Sequence, residues 1–335
     1  MDDTPTGTRI LREADATPSV LRDVDIAVVG YGNQGRSWAR NLRDSGLAVR
    51  VCARADASRE MAAADGFEPG TIESASSADV LCVLVPDDVI PELALAPSPR
   101  ALTVVASGYT LAFDRFRPEG DLGMIAPRML GPEVRRCYEE GAGFITAIGV
   151  HRDVTGTARA RTLALAHALG GLREGAIELS ARQEAVIDLA VEQVLSPALA
   201  HVSQSFLATM LAEDIPLEAI LCELFLSGEV ERTYRRLREE GFARQMEHHS
   251  PTSQYGQLSR RGRYDQVDLA TTMRELTADI TSGRFADEWD GERRAGHLRL
   301  AALKQEHCGA AVREFEAGLR RLLGPLSAEP DPRDD

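Results

Sequence analysis

Apolar and polar positions along the chain fall into two regimes. Residues 24 to 30, "VDIAVVG", form a β-branched apolar strand, and residues 33 to 45 then repeat apolar positions at helical spacing until Gly46. The alternation recurs through "AVRVCAR" at 48 to 54, a helical "SREMAAADG", "ADVLCVLVP" at 78 to 86, "ALTVVAS" at 101 to 107 and "LGMIAPR" at 122 to 128. Two more strand candidates, "FITAIGV" and "AIEL", bracket a helical stretch at 156 to 169. Strands apolar throughout and alternating with helices predict an α/β fold, a Rossmann-type doubly wound parallel sheet covered on both faces. From about residue 181 no period-2 run appears, while 181 to 212, 216 to 240, 268 to 282 and 291 to 323 keep a 3.6-residue period. The pattern therefore divides the chain into an α/β domain over 1–180, an all-helical domain over 181–325, and a short Pro-rich acidic tail, 326–335, expected to be disordered.

The turn between the first strand and first helix reads "GYGNQG". Gly30 permits a tight turn, Gly32 lets backbone approach a pyrophosphate, and Gly35 allows helix to pack on strand. The helix N-terminus then offers free amides and a partial positive charge to an anion. A lone glycine triplet is a weak signal, but this one follows a strand and opens a helix. Gly30, Tyr31, Gly32, Asn33, Gln34 and Gly35, with Pro86 after a later strand, are assigned to a dinucleotide site. Where a dinucleotide fold chooses between NAD and NADP, the strand ends "CARADASRE". Arg54 stands in place of the usual acid, with Ser58 and Arg59 near enough to help hold a 2′-phosphate, so NADP(H) is expected ahead of NAD(H). Asp56 opposes that preference.

Length and composition narrow the setting. A chain of 335 residues suits two domains of roughly 150 each, and 44% apolar with 27% charged residues is an ordinary globular balance. A formal charge of −14 and a pI near 5.1 argue against nucleic acid as a partner, since phosphate binding rests on clustered Lys and Arg. No apolar run is seen to approach the roughly 20 residues of a membrane span, and the N-terminus lacks a signal-peptide layout. A soluble, cytoplasmic protein with no membrane partner is expected. Cysteines 52, 82, 137, 222 and 308 are odd in number and lack CxxC spacing, which indicates small buried hydrophobes and neither a disulfide framework nor a thiolate zinc site.

With "GYGNQGRSWARNLRDSG", the motifs "VLVPDDVIPEL", "VVASGYTLAF", "MIAPRMLGPEVRRCYEEGAG", "DLAVEQVL", "SPTSQYG" and "ITSGRFADEW" together resemble the ketol-acid reductoisomerase family over about residues 20 to 290. The resemblance implies a Rossmann domain followed by a helical, knotted domain, and dimers or larger assemblies whose active sites are shared between subunits. It also implies NADPH, magnesium, and a reaction in two halves: a metal-assisted alkyl shift in a 2-hydroxy-2-alkyl-3-keto acid, then hydride transfer to the new 2-keto group. Family enzymes hold two magnesium ions with an Asp and a Glu one turn apart on one helix and two Glu residues four apart on another.

Asp188 and Glu192 match the first pair and are candidates for one Mg²⁺ or for acid/base work. The second pair is missing, because ungapped alignment of "PLEAILCELFLSG" puts Cys222 and Leu226 at its positions. Ser107 replaces the family's active-site histidine and cannot take up a proton near neutral pH. Arg128 replaces the family lysine and brings a planar fork suited to carboxylates. Ser250 matches a serine that contacts substrate carboxylate across the subunit boundary, Tyr109 is a candidate proton donor, and Arg36 adds a cation after the glycine loop. His248 and His249 adjoin Ser250, and the arginine-rich "ERTYRRLREE" reads as a solvated face with i,i+4 pairs.

The leading expectation is an NADP(H)-dependent oxidoreductase acting on a small carboxylate-bearing keto acid or imine, without the two-metal shift and with a role in specialised, secondary metabolism. A working ketol-acid reductoisomerase with an altered metal site is the second reading. A nucleotide sensor or a dinucleotide-consuming protein is the third.

Overall fold

The computed structural model describes residues 9 to 323, so the acidic tail assigned to 326–335 lies outside the described residues. The chain forms two compact units, Met1–Asp188 and Leu189–Asp335.

The first unit is built on β1 (Ile10–Leu11), β2 (Ile26–Val29), α1 (Asn33–Asp44), β3 (Val49–Cys52), α2 (Ala57–Ala64), β4 (Val80–Val83), β5 (Leu102–Val105), α3 (Tyr109–Ala112), β6 (Asp121–Pro127), α4 (Gly131–Glu139), β7 (Thr146–Arg152), α5 (Ala158–Ala168), β8 (Ala176–Glu178) and the start of α6 (Ala181–Ala190). One eight-stranded sheet runs in the order β1-β8-β7-β6-β5-β4-β2-β3. Residues Ile26 to Val29 are fully buried, as a strand covered on both faces requires. Helix α1 covers one face through Trp38, Ala39 and Leu42, all fully buried.

The sheet departs from the expected all-parallel arrangement. Strands β3, β2, β4, β5 and β6 are parallel, but β7 is antiparallel to β6, β8 is parallel to β7, and β1 is antiparallel to β8. A strand buried on both faces reads the same in either direction, so its apolar run cannot reveal its polarity. Strand β1 is two residues long and carries no periodicity to detect.

Among the described residues the second unit is all-helical. After the π-helical turn Val191–Leu195 come α7 (Ser196–Ala212), α8 (Leu217–Leu221), a second π-helical turn Cys222–Leu226, α9 (Glu229–Glu240), α10 (Phe242–Glu247), α11 (Pro251–Arg260), α12 (Leu269–Thr281), α13 (Arg284–Arg294), α14 (Leu298–His307) and α15 (Ala310–Leu323). The stretch expected to be helical over 291–323 is broken twice, at Gly296 and His297, both of positive φ, and at Cys308. On α9, Glu231–Arg235 at 2.8 Å and Arg236–Glu240 at 2.9 Å are the i,i+4 pairs the charge pattern predicts.

The membrane expectation needs one correction. The helical segment Ala181–Ala212, 32 residues long, holds an 18-residue window of mean hydropathy 1.3 and is long and apolar enough to cross a membrane, with 17% of the window buried. Interspersed Ser, Gln and His residues hid that apolarity from a search for an uninterrupted run. Leu195, Leu199, Val202 and Phe206 are each more than 40% exposed and recur at spacings of four, three and four, which is one helix stripe.

Candidate functional site

The glycine turn has the form a dinucleotide requires. Gly30 adopts φ +95°, where a side chain is strained, and a Cβ there would lie 2.6 Å from the Leu84 carbonyl oxygen. A Cβ on Gly35 would sit 2.2 Å from the Gly30 carbonyl oxygen, so this glycine lets α1 close on β2. Gly32 is different, because a Cβ there meets nothing within 4 Å and the space beside it is open. Gly32 is the N-cap of α1, and the first intrahelical bond runs from the Arg36 N–H to the Gly32 carbonyl. The amides of Asn33, Gln34 and Gly35 therefore have no carbonyl partner within the helix and are available to an anion. This cradle fits a pyrophosphate.

Side chains of the turn are occupied in holding its shape. Gln34 donates to the Met129 carbonyl at 3.3 Å and accepts from the Trp38 indole N–H at 3.2 Å. Tyr31 is buried and donates to Asp65 at 2.8 Å, while Arg36 forks onto the same carboxylate at 2.7 and 3.1 Å. The Arg36 bonds, with help from Tyr31, hold the Asp65 carboxyl below its ordinary range, and burial raises the Tyr31 phenol. Arg36 is thus committed to Asp65 and differs from the phosphate-facing cation expected of it.

At the end of β3, Arg54 is exposed and paired with Asp56 at 3.3 Å. Asp56 caps α2 by accepting the Ser58 N–H at 3.0 Å. Arg59 turns inward, donating to the carbonyls of Ala53 at 2.8 Å and Gly70 at 3.2 Å. That corrects its assignment to a 2′-phosphate: a guanidinium bracing two backbone carbonyls is not poised for a ligand. Arg54 remains as the outward cation of the expected trio. Pro86 is exposed just beyond β4, and its carbonyl accepts the Val89 N–H at 2.8 Å.

The first unit also brings together Ser107, Tyr109, Arg128 and Asp188, through a residue the sequence reading passed over. Gly108 follows β5, and its N–H donates to Glu184 Oε2 at 2.6 Å. Glu184 Oε1 accepts from Arg128 Nη1 at 2.7 Å, and Arg128 Nη2 donates to Asp188 Oδ1 at 2.6 Å. Side-chain exposure is 1% for Glu184, 30% for Arg128 and 38% for Asp188. Burial raises the Glu184 carboxyl, against the lowering pull of the Gly108 N–H and the Arg128 guanidinium. A Cβ on Gly108 would stand 2.2 Å from the Ala181 carbonyl oxygen, so only glycine permits this approach of α6. The backbone of Arg128 is fixed at the end of β6 by its N–H bond to Ile145 at 3.0 Å. Ser107 is half-buried and its Oγ accepts the Tyr109 N–H at 3.1 Å. Tyr109 is 6% exposed and packs edge-on to Phe113 with ring centroids 5.3 Å apart. These groups sit beyond the carboxyl ends of β5 and β6, the edge where open α/β sheets bind ligands.

The remaining candidates belong to the second unit. Glu192 is exposed on the first π-helical turn, and Cys222 and Leu226 are the first and last residues of the other. Single π turns inside helices are frequent at functional sites. Ser250 is exposed and caps α11, accepting the Ser253 N–H at 3.3 Å. His248 pairs with Glu240 at 2.6 Å, and His249 contacts the Gln245 amide at 2.7 Å. All five cysteines are free; Cys52 and Cys82 are buried as expected, but Cys308 is exposed.

The donor set does not fit a two-magnesium centre. A hard divalent ion needs several oxygen ligands, yet in the first unit Glu184 has both oxygens engaged and Asp188 is paired with a guanidinium. Among the described residues no cluster of three or more His, Cys, Asp or Glu could hold a metal ion.

Comparison with known proteins identifies the scaffold. Residues 20–175 match the family model for the acetohydroxy acid isomeroreductase NADPH-binding domain, and residues 182–324 match that for the ketol-acid reductoisomerase C-terminal domain. A Saccharolobus solfataricus protein bearing the ketol-acid reductoisomerase name provisionally is 36% identical over 329 residues, covering 92% of this chain and 98% of the relative. The NADP(+) ketol-acid reductoisomerase of Methanocaldococcus jannaschii is 33% identical over 326 residues, covering 94% and 98%. The solved structure of an NADH-preferring ketol-acid reductoisomerase from an uncultured archaeon superposes with a TM-score of 0.87 at 30% identity, covering 95% of this chain and all of that one. With both family domains matched in order and relatives aligned over nearly the whole length, the chain belongs to the ketol-acid reductoisomerase family and is an NAD(P)-dependent oxidoreductase of that type.

Proposed function

We propose that this protein reduces a small carboxylate-bearing 2-keto acid or imine with NADP(H), without the two-magnesium alkyl migration of its relatives. The observation that carries the reading is the Glu184–Arg128–Asp188 chain at 2.7 and 2.6 Å, in which a guanidinium occupies a carboxylate that metal binding would require. The amides of Asn33 to Gly35 beside Gly32 would hold the dinucleotide, which when bound would supply the hydride. Arg54, held at 3.3 Å from Asp56, is the cation that favours the 2′-phosphate. Arg128 grips the substrate carboxylate with the N–H groups its two ion pairs leave over. Ser107 Oγ accepts the Tyr109 N–H, which leaves its own proton to hydrogen-bond the reacting carbonyl oxygen as negative charge grows there, and water supplies the proton that completes the alcohol or amine. Ser250 is assigned a second hydroxyl contact to the carboxylate from across a subunit boundary, as the family resemblance implies. The test is a set of steady-state assays with NADPH: pyruvate-like keto acids and their imines are turned over, and acetolactate with Mg²⁺ is not.

The alignment with the NADP(+) ketol-acid reductoisomerase of Methanocaldococcus jannaschii over more than nine-tenths of this chain favours a second reading, full isomeroreductase activity with a rearranged metal site. Magnesium-dependent turnover of acetolactate selects it and ends the first. In either case we propose a homodimer with a shared active site, supported by the open apolar stripe of Leu195, Leu199, Val202 and Phe206, which a second copy would cover. Light scattering that returns a monomer at micromolar concentration refutes it.

A further inference from the structure

We propose that the Arg128 guanidinium takes the electrostatic place of a divalent ion in this chain, excluding exchangeable metal and fitting the site to plain 2-keto or 2-imino carboxylates that do not chelate. The inference rests on the reductase reading above and deepens it. Glu184 and Asp188 lie one helical turn apart and face the same guanidinium, which bonds them at 2.7 and 2.6 Å. That bridging is what a metal ion would do for two carboxylates. The second oxygen of Glu184 accepts the Gly108 N–H at 2.6 Å, so both oxygens are engaged, and with the side chain 1% exposed neither is open to an ion arriving from solvent. Asp188 has Oδ1 committed to the guanidinium, which leaves it one oxygen where a hard cation needs several oxygen ligands.

The identity of the cation decides permanence. A lysine at this position could shed its proton or swing aside to admit a metal, whereas arginine stays charged at every accessible pH. Its strand-end backbone, bonded to Ile145 at 3.0 Å, and its two ion pairs fix where that charge sits. A divalent ion beside it would meet repulsion that no side-chain titration can relieve. The substrate consequence follows. A hydroxy-keto acid is useful to a two-metal enzyme because its adjacent oxygens chelate; here a forked guanidinium with three N–H groups unused by the two pairs recognises a single carboxylate.

Manganese, read by electron paramagnetic resonance on the full-length protein without substrate, provides the test. Wild type should show no saturable Mn²⁺ site up to millimolar concentration. Arg128→Gln should gain a site at least tenfold tighter, lost again when Asp188→Asn is added. Circular dichroism checks that the variants fold, and the wild-type titration stands if they do not. A wild-type chain that binds one Mn²⁺ with an affinity that Asp188→Asn weakens tenfold overturns the inference, as does a folded Arg128→Gln that gains nothing. A wild type that reduces keto acids yet binds Mn²⁺ through Asp188 sinks this inference alone; one that binds none and reduces none sinks only the reductase reading.

Discussion

Removing either end of the Glu184–Arg128 pair should cost very different amounts. Arg128→Met leaves a carboxylate that is 1% exposed without its cation, and breaking a buried pair in that way costs about 3–5 kcal/mol. Glu184→Gln is milder. Its amide oxygen still accepts the Gly108 N–H now made at 2.6 Å, and the substitution removes a charge whose desolvation already holds its carboxyl above the ordinary value. A net loss of about 1 kcal/mol is expected, the worth of one ordinary hydrogen bond. The double variant should therefore be more stable than Arg128→Met alone, with a coupling energy of roughly 2–3 kcal/mol. Urea denaturation of the four proteins at pH 7 measures it. Acidification adds a check of sign: as pH rises, the unfolded chain releases the Glu184 proton first, so the stability this group contributes is complete below the ordinary carboxylate range and falls toward the raised value. Loss of Arg128 raises that value further, and Arg128→Met should regain stability relative to wild type between pH 7 and pH 5. Equal costs for the two single variants, or additive behaviour in the double, would refute the reasoning.

Gly35→Ala forces a Cβ to 2.2 Å from backbone and should abolish folding or lower the melting temperature severely, whereas Gly32→Ala, with open space around it, should leave stability within about 0.5 kcal/mol and weaken NADPH binding at least tenfold by fluorescence titration. Arg54→Ala should raise the KM for NADPH about tenfold with little effect on NADH if Arg54 meets the 2′-phosphate as proposed; Arg59→Ala should lower thermal stability and leave the cofactor ratio alone, because its guanidinium braces Ala53 and Gly70. Asp65→Asn should cost about 1–2 kcal/mol at pH 7, discounted because Arg36 is 35% exposed, and the deficit should vanish as pH falls through the depressed value of Asp65, where wild type loses the same contribution. Melting curves from pH 7 to pH 3 measure the difference.

The parts of the molecule legible from sequence are those where chemistry and period coincide. The run at 24–30 and the glycines at 30, 32 and 35 specify strand, turn and helix together, and the structure places β2 and α1 there. Direction and neighbourhood are not periodic properties, which is why the reversal of β7 and the inward turn of Arg59 were hidden. Glu184 was visible as the residue one turn before Asp188, but its importance comes from Gly108, 76 positions away, through a bond no local pattern encodes. The first break within 291–323 follows from the positive φ at Gly296 and His297. Gly296 was the available signal.

The Asp65 clasp has a practical consequence for altering coenzyme preference. Asp65 closes α2, the helix that Asp56 caps, and reaches back to hold Tyr31 and Arg36 of the phosphate turn at 2.8 and 2.7 Å. A transplanted loop from an NADH-using relative that replaces residues 54–66 would therefore redesign the ribose pocket and unfasten the pyrophosphate grip at once. Grafts that stop short of residue 65 should switch selectivity; longer ones should lose affinity for both coenzymes.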